Sequence, residues 1–210
     1  MNNTVAGFQH FPWIDTKLNE EEMNFLNDAI SEENKEEFSH ELAGNISISE
    51  LIKDKDNWFY ETVLKKLTER MYYKSWDNYY KYHIEKEETP PKFKMEKFWV
   101  NYQKQHEFNP PHGHGGLYSF VVFMKIPTHW REQHALPISA NSTCHLASDF
   151  QFIMGHPQGH IMPFNVPLSP EDEGRILFFP AWLNHQVFPF YGTEEKRITI
   201  SGNIQLQNYS

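Results

Sequence analysis

No helix survives the run Thr89-Pro90-Pro91: proline lacks the amide hydrogen a helical turn needs, and its ring forces the preceding residue into extended backbone. The hydrophobic period differs on its two sides. Upstream, Asn19 reads as an N-cap, with Glu20, Glu21 and Glu22 in the favourable first turn. Met23, Leu26 and Ile30 then recur at helical spacing, so a helix is expected to end near Ser31. A longer helix is expected from Asp56 to His83, where Phe59, Val63, Leu67 and Met71 form an i, i+4 stripe opposite Lys65, Lys66, Glu69 and Arg70. Phe8 to Leu18, with Pro12 inside it, reads as a short edge strand, and Glu32 to His40 as a solvated connection. Ser47-Ile-Ser-Glu50 resembles a capping box that opens a short helical turn.

Downstream the period is two. Lys94 to Gln103 alternates, with Met95, Lys97, Trp99 and Asn101 on one face and Glu96, Phe98, Val100 and Tyr102 on the other. Leu117 to Ile126, Ser148 to Gly155, Arg175 to Phe179 and Arg197 to Gln205 are further strands. Several short strands bounded by Pro and Gly imply a sandwich or barrel. The expected fold is mainly β with N-terminal helices (α+β), one domain over residues 1–210. Residues 1–92 would be a helical support and residues 93–206 a double-stranded β-helix core, jelly-roll and cupin-like.

A formal charge of −9 argues against a nucleic-acid backbone or an anionic membrane surface as the main partner. The same charge weighs against reading Tyr72, Tyr73, Trp76, Tyr79, Tyr80 and Tyr82 as a base-stacking platform. One cysteine, Cys144, excludes an intramolecular disulfide and fits a reducing compartment. No secretion signal and no apolar run of transmembrane length stand in the sequence, so a cytoplasmic location is expected. Seventeen Phe, ten Tyr and six Trp suit strands and enclosed pockets.

Asn109-Pro-Pro-His-Gly-His-Gly-Gly-Leu-Tyr-Ser119 concentrates the chemistry. Residues i and i+2 of an extended segment share a face, so His112 and His114 can reach one point in space. The prolines fix the backbone before them and the glycines free it after them. In the last strand Arg197, Thr199, Ser201 and Asn203 share one face, while Ile198, Ile200 and Ile204 share the other. A polar face on a barrel interior is odd unless it lines a cavity. Arg197 offers a planar fork suited to a carboxylate, with the hydroxyls of Thr199 and Ser201 beside it. An exposed strand face with Arg197 in a surface ion pair is the plainer alternative. His185 ends the segment Ala181-Trp-Leu-Asn-His185, and a hairpin through Tyr191-Gly192 would bring it beside Arg197. A single histidine near aromatics is more often structural than a ligand; His185 gains weight only together with His112, His114 and Arg197.

These residues resemble the non-haem Fe(II), 2-oxoglutarate-dependent oxygenases, particularly the small prolyl-hydroxylase-like bacterial and phage proteins. In that superfamily a His-x-Asp/Glu pair, a distal His and a following Arg occur in this order on a jelly-roll core. Phe98 to Pro127 matches the metal-strand region, and Gly174 to Ser201 the distal-His and 2-oxoglutarate region. The resemblance implies Fe(II) held by His112 and His185, and Arg197 paired with the far carboxylate of 2-oxoglutarate. Ser201, Thr199, Tyr102 and Asn101 would hydrogen-bond the cosubstrate. The departure is at His114, where the family carries Asp or Glu. Either His114 is itself a ligand, giving an all-histidine site, or it stays off the metal and water or a distant carboxylate, such as Asp149, completes the coordination.

What the resemblance implies is a dioxygenase that hydroxylates a peptidyl proline or similar side chain, of a protein, a peptide or a small molecule, with release of succinate and CO2. Two alternatives stay open: a cupin-like three-histidine metalloenzyme that does not use 2-oxoglutarate, and a non-enzymatic jelly-roll binding module. The segment from His129 to His160 carries His129, His134, His145, His156 and His160 and reads mostly as a mobile substrate-covering loop with two or three solvent-facing histidines. The sequence gives no oligomeric state.

Overall fold

The computed structural model describes residues 13–72, 91–156 and 158–207. Among the described residues ten strands form two antiparallel sheets. The larger runs β1-β8-β5-β10-β3-β2, built from β1 (Ile14–Lys17), β2 (Ser49–Leu51), β3 (Phe93–Gln103), β5 (Tyr118–Lys125), β8 (Arg175–Pro180) and β10 (Arg197–Leu206). The smaller runs β4-β9-β6-β7, from β4 (Asn109–His112), β6 (Phe150–Gly155), β7 (Ile161–Val166) and β9 (His185–Val187). Among the described residues no helix is long and apolar enough to cross a membrane.

Side-chain alternation divides the large sheet into two working faces. Phe98 and Val100, Tyr118, Phe120 and Val122, Ile176 and Phe178, and Ile200 and Ile204 turn outward into one apolar cluster under the helices. Val121, Phe123, Leu177 and Phe179 turn inward and meet Phe150, Phe152 and Val166 of the small sheet. The inward positions of β3 and β10 are instead Trp99, Asn101 and Gln103, and Arg197, Thr199 and Ser201, which line a cavity. The inner face is therefore greasy over β5 and β8 and mostly polar over β10 and β3.

The helix α1 (Glu20–Ser31) begins where the acidic turn implies: the Asn19 side chain accepts from Glu22 N, and the Glu22 side chain accepts from Asn19 N. The long helix starts later than expected. Asp56 and Asn57 sit at left-handed φ values of 56° and 57°, and the Asp54 carboxylate accepts from the amides of Phe59 and Tyr60. A π-helical turn, Tyr60–Leu64, follows, and helix continues to residue 72. Residues 73–83 of the expected helix lie outside the described residues, as do residues 8–12 of the expected edge strand, whose remainder is β1 at the edge of the large sheet. Phe59 stacks on Phe98 at 5.8 Å, and the Tyr60 hydroxyl donates to Phe93 O at 2.9 Å, fastening helix to sheet.

Several expectations are corrected. Ser47 to Glu50 does not open a helical turn: β2 pairs with β3, and the Ser49 hydroxyl donates to Asn101 rather than capping anything. Met95 does not share the face of Trp99. A register shift at Asn203/Ile204 leaves Glu96 as the extra residue of a bulge, which turns Met95 to the helix side with Phe98. His185 and Arg197 are not neighbours across a hairpin, since β9 belongs to the small sheet and β10 to the large one. The segment from His129 to His160 is not one covering loop, because it folds into short helices Trp130–Ala135 and Pro137–Ala140 and then β6. Of its histidines, His145 and His160 are exposed.

At Gly202, in the Ile face of β10, an added Cβ would lie 2.7 Å from both Lys97 O and the Phe120 ring. Gly202→Ala should therefore destabilise the protein by about 1–3 kcal/mol, as overpacking a filled core does. Urea denaturation measures it, and an unchanged midpoint would mean the sheet yields there.

Candidate active site

His112 closes β4 and His185 opens β9, and the two are direct partners in the antiparallel pair. Two prolines set this up. Pro110 and Pro111 lie where the register shifts between Asn109 and His112, and proline tolerates a bulge because it has no ladder hydrogen to lose. His114 lies two residues on, its amide donating to Ala181 O at 2.7 Å, so that strand end is tied to the loop leading into β9. Gly116 then takes φ 91°, the left-handed turn that lets the chain enter β5.

The ligand atoms of the three histidines all lie within 4.8 Å of one another. His114 Nε2 and His185 Nε2 are 3.2 Å apart. His112 Nδ1 lies 2.7 Å from Pro110 O, and His185 Nδ1 lies 2.9 Å from Leu183 O. A carbonyl can only accept, so each Nδ1 carries the proton and each Nε2 presents a lone pair. Both rings thus use the same device, a bond to the carbonyl two residues back, which fixes tautomer and orientation as in metal-binding histidines generally. His185 is almost fully buried, stacked on Phe150 with Phe179 edge-on.

Burial lowers the affinity of all three rings for protons. His112 is pulled down by desolvation, against its bond to Pro110 O. His114 falls from 6.5 to about 4 through desolvation and the neighbouring His112. His185 falls well below its ordinary value through desolvation, His112 and His114. Three neutral imidazoles aimed at one point are a donor set for a divalent first-row metal.

The cavity beside them holds about 180 Å³. Its deep side is Arg197, fully buried, with Nη2 donating to Ser148 O at 2.8 Å and to Ser148 Oγ at 2.6 Å. Nη1 reaches Gln103 Oε1 at 3.4 Å, Phe190 lies under the guanidinium at 5.1 Å, and Nε has no partner. Burial pulls the guanidinium down to about 10, against the attraction of Asp149, and it stays a cation at neutral pH. Arg197 is therefore no surface ion pair.

The cavity gathers the histidines, Arg197, Thr199, Ser201 and Asn101. Tyr102 leaves the set: alternation on β3 turns it to the helix face, where it packs against the outer cluster. Asp149 is not with the histidines either. Its Oδ1 lies 2.9 Å from His134 Nε2, and the convergent group contains His112, His114 and His185 without a carboxylate. Sequence reasoning missed Trp99, Gln103 and Ser148. The first two share the face of Asn101 by simple alternation, so the signal was present. Ser148, at φ 74°, carried none.

A family described as "Putative 2OG-Fe(II) oxygenase" matches residues 97–203, from the cavity-lining part of β3 to the polar face of β10. The chain belongs to that 2OG-Fe(II) oxygenase family. Among solved structures this oxygenase is similar to the viral collagen prolyl hydroxylase of Paramecium Bursaria Chlorella virus-1 in its 2OG complex, at 14% identity over 92% of this chain and 96% of that one, TM-score 0.52. It is also similar to a Pseudomonas putida prolyl-4-hydroxylase, at 14% identity over 91% of each chain, TM-score 0.51. A Burkholderia pseudomallei oxidoreductase of the 2OG-Fe(II) oxygenase family gives 10% identity over 92% of this chain and 85% of that one, TM-score 0.52. At these identities the likeness is one of fold, a double-stranded β-helix. No curated protein matches the sequence.

The family uses Fe(II) and 2-oxoglutarate, and the three-histidine cluster fits the iron. The oxygenase departs from the family's His-x-Asp/Glu pattern by placing His114 where a carboxylate is expected, and the structure turns that imidazole toward the other two rather than away.

The depressed His114 sets a pH dependence. The unfolded chain takes up this proton near 6.5 and the folded chain only near 4, so acidification favours unfolding across that window. Without metal, the His114 contribution to stability should be full above pH 6.5 and fall on the order of 1–2 kcal/mol by pH 4, allowing for screening, on top of the losses from His112 and His185. His114→Ala should flatten that fall in denaturation curves taken across the window; an unchanged slope would show that His114 does not sit neutral and desolvated.

Proposed function

We propose that this oxygenase is a 2-oxoglutarate-dependent hydroxylase whose metal is held by His112, His114 and His185 and whose cosubstrate is held by Arg197. The observation that carries this reading is the pairing, in one cavity, of three convergent neutral imidazoles with a fully buried guanidinium. When bound, Fe(II) and 2-oxoglutarate supply the oxidising chemistry: one oxygen atom leaves in succinate as CO2 is lost, and the other enters a C–H bond of the substrate.

The chain's own residues orient and exclude. Arg197 meets the far carboxylate with the donors that Ser148 leaves unused, and Thr199, Ser201 and Asn101 offer hydroxyl and amide groups along the same wall. Phe150, Phe179 and Val187 keep water from the buried side of the histidines. Residues 93–206 carry this chemistry, and the described helices at 20–31 and 58–72 brace the outer face of the large sheet.

For the substrate, a peptidyl proline or similar side chain is the best-supported class. Two of the similar structures are prolyl hydroxylases. A cavity of about 180 Å³ suits a small dicarboxylic acid and leaves a second reactant to present one side chain at the mouth. The partner is then a protein or peptide rather than a nucleic acid, in the cytoplasm. One observation favours a second reading: with His114 in place of a carboxylate, the site also suits a three-histidine metalloenzyme that does not use 2-oxoglutarate, for which Arg197 would matter little.

Calorimetric titration of 2-oxoglutarate into protein loaded with Mn(II) separates the two. Arg197→Ala should abolish 2-oxoglutarate binding, a loss of at least about a hundredfold for a buried charge-assisted pair, while Mn(II) still binds. Retained affinity in that variant would rule out the assignment. Wild-type protein supplied with Fe(II), 2-oxoglutarate, ascorbate and air should slowly release succinate even without substrate.

A further inference from the structure

Two buried, oppositely charged groups, Arg197 on the cavity wall and Asp149 behind it next to Ser148, each hold an unused hydrogen-bonding position. Among the described residues Arg197 Nε has no partner, and neither has Asp149 Oδ2, although both residues are fully buried. They do not bond to each other, yet each is near enough to feel the other's charge. Different groups hold them in place. Ser148, at its strained φ of 74°, turns both its carbonyl and its hydroxyl to Arg197 Nη2, while its own amide donates to Pro189 O. Asp149, the next residue, is held through Oδ1 by His134 Nε2 on the short helix Trp130–Ala135. Orientation of the guanidinium thus comes from Ser148, and Asp149 contributes charge without contact.

A buried cation needs a counter-charge, and a carboxylate ligand in the cavity would supply a second one. We propose that Asp149 is a positioning residue acting through Arg197: it is the resident counter-charge of the guanidinium, and it sets how tightly the far carboxylate of 2-oxoglutarate is held. The proposal rests on the reading of Arg197 as the cosubstrate anchor. Burial pushes the Asp149 carboxyl up, against the bond and charge of His134 and the charge of Arg197; while ionised, it partly neutralises the guanidinium, so the incoming carboxylate binds against a resident anion. Without it, the empty pocket keeps an uncompensated buried charge that only the ligand relieves.

Asp149→Asn keeps the shape of the side chain and an acceptor for His134 while removing the charge. In Mn(II)-loaded protein it should bind 2-oxoglutarate about tenfold more tightly, as expected for a partly screened buried charge on the residue next to Ser148. The ligand-free variant should melt lower than wild type, and 2-oxoglutarate should raise its melting temperature by more than it raises the wild type's. A purely structural Asp149 would lower the melting temperature and leave the affinity unchanged; unchanged or weaker binding overturns the proposal. Should Asp149→Asn fail to fold, the double variant with Arg197→Gln, which restores charge balance, should fold. If the double is as unstable as the single, Asp149 is no counter-charge. Wild-type protein that binds Mn(II) but not 2-oxoglutarate would instead sink the reading of Arg197 itself.

Discussion

Strand β10 is gripped on both sides, by β3 and by β5, near the middle of a six-stranded sheet. Its residues alternate between two environments that tolerate no exchange: Ile200 and Ile204 under the helices, Arg197, Thr199 and Ser201 in the cavity. A slip of one residue would bury the guanidinium among Phe59 and Phe98 and put isoleucines against the histidines. Register here is therefore fixed by the large cost of placing a charge in the wrong layer. The rest of the inner face follows from that constraint, because the apolar half over β5 and β8 is where the small sheet docks, and the polar half over β10 and β3 is where it stands off and leaves a cavity.

The histidine cluster depends on a second, local constraint. Backbone carbonyls two residues back hold His112 and His185 by their Nδ1 atoms, and the proline pair bulges β4 so that His112 faces its partner across the ladder. Nothing in this arrangement supplies negative charge. A divalent ion on three imidazoles keeps its full double charge, where a site with one carboxylate would halve the excess. A metal held there would add a second cationic group to a cavity already lined by Arg197. Both groups would suit an anionic ligand.

Much of this was legible in the chain. The capping box at Asn19, the strands Leu117 to Ile126 and Arg175 to Phe179, and the two faces of Arg197 to Gln205 show at the level of period and cap because local sequence decides them. What failed did so for tertiary reasons. Ser47 to Glu50 has a good helical signal, but β3 offers its backbone a ladder and Asn101 takes the serine hydroxyl. Strand β9 is too short, at three residues, to show a period, so His185 could be tied to Arg197 only through a hairpin that does not exist. The bulge at Glu96 and the role of Ser148 come from pairing partners far along the chain, which no local pattern records. Tyr102, which the resemblance assigns to the cosubstrate, lies on the face of β3 opposite Asn101, as the alternation implies.

The chemistry of the site turns on whether His114 is a ligand. X-ray absorption at the iron edge of anaerobically loaded protein counts the imidazoles through their multiple-scattering signature, and His114→Ala gives the reference. Three imidazoles in the wild type and two in the variant are expected from the geometry of His112, His114 and His185. Two imidazoles in both, with an oxygen ligand in the third place, would contradict an all-histidine site and return the missing carboxylate to the chemistry.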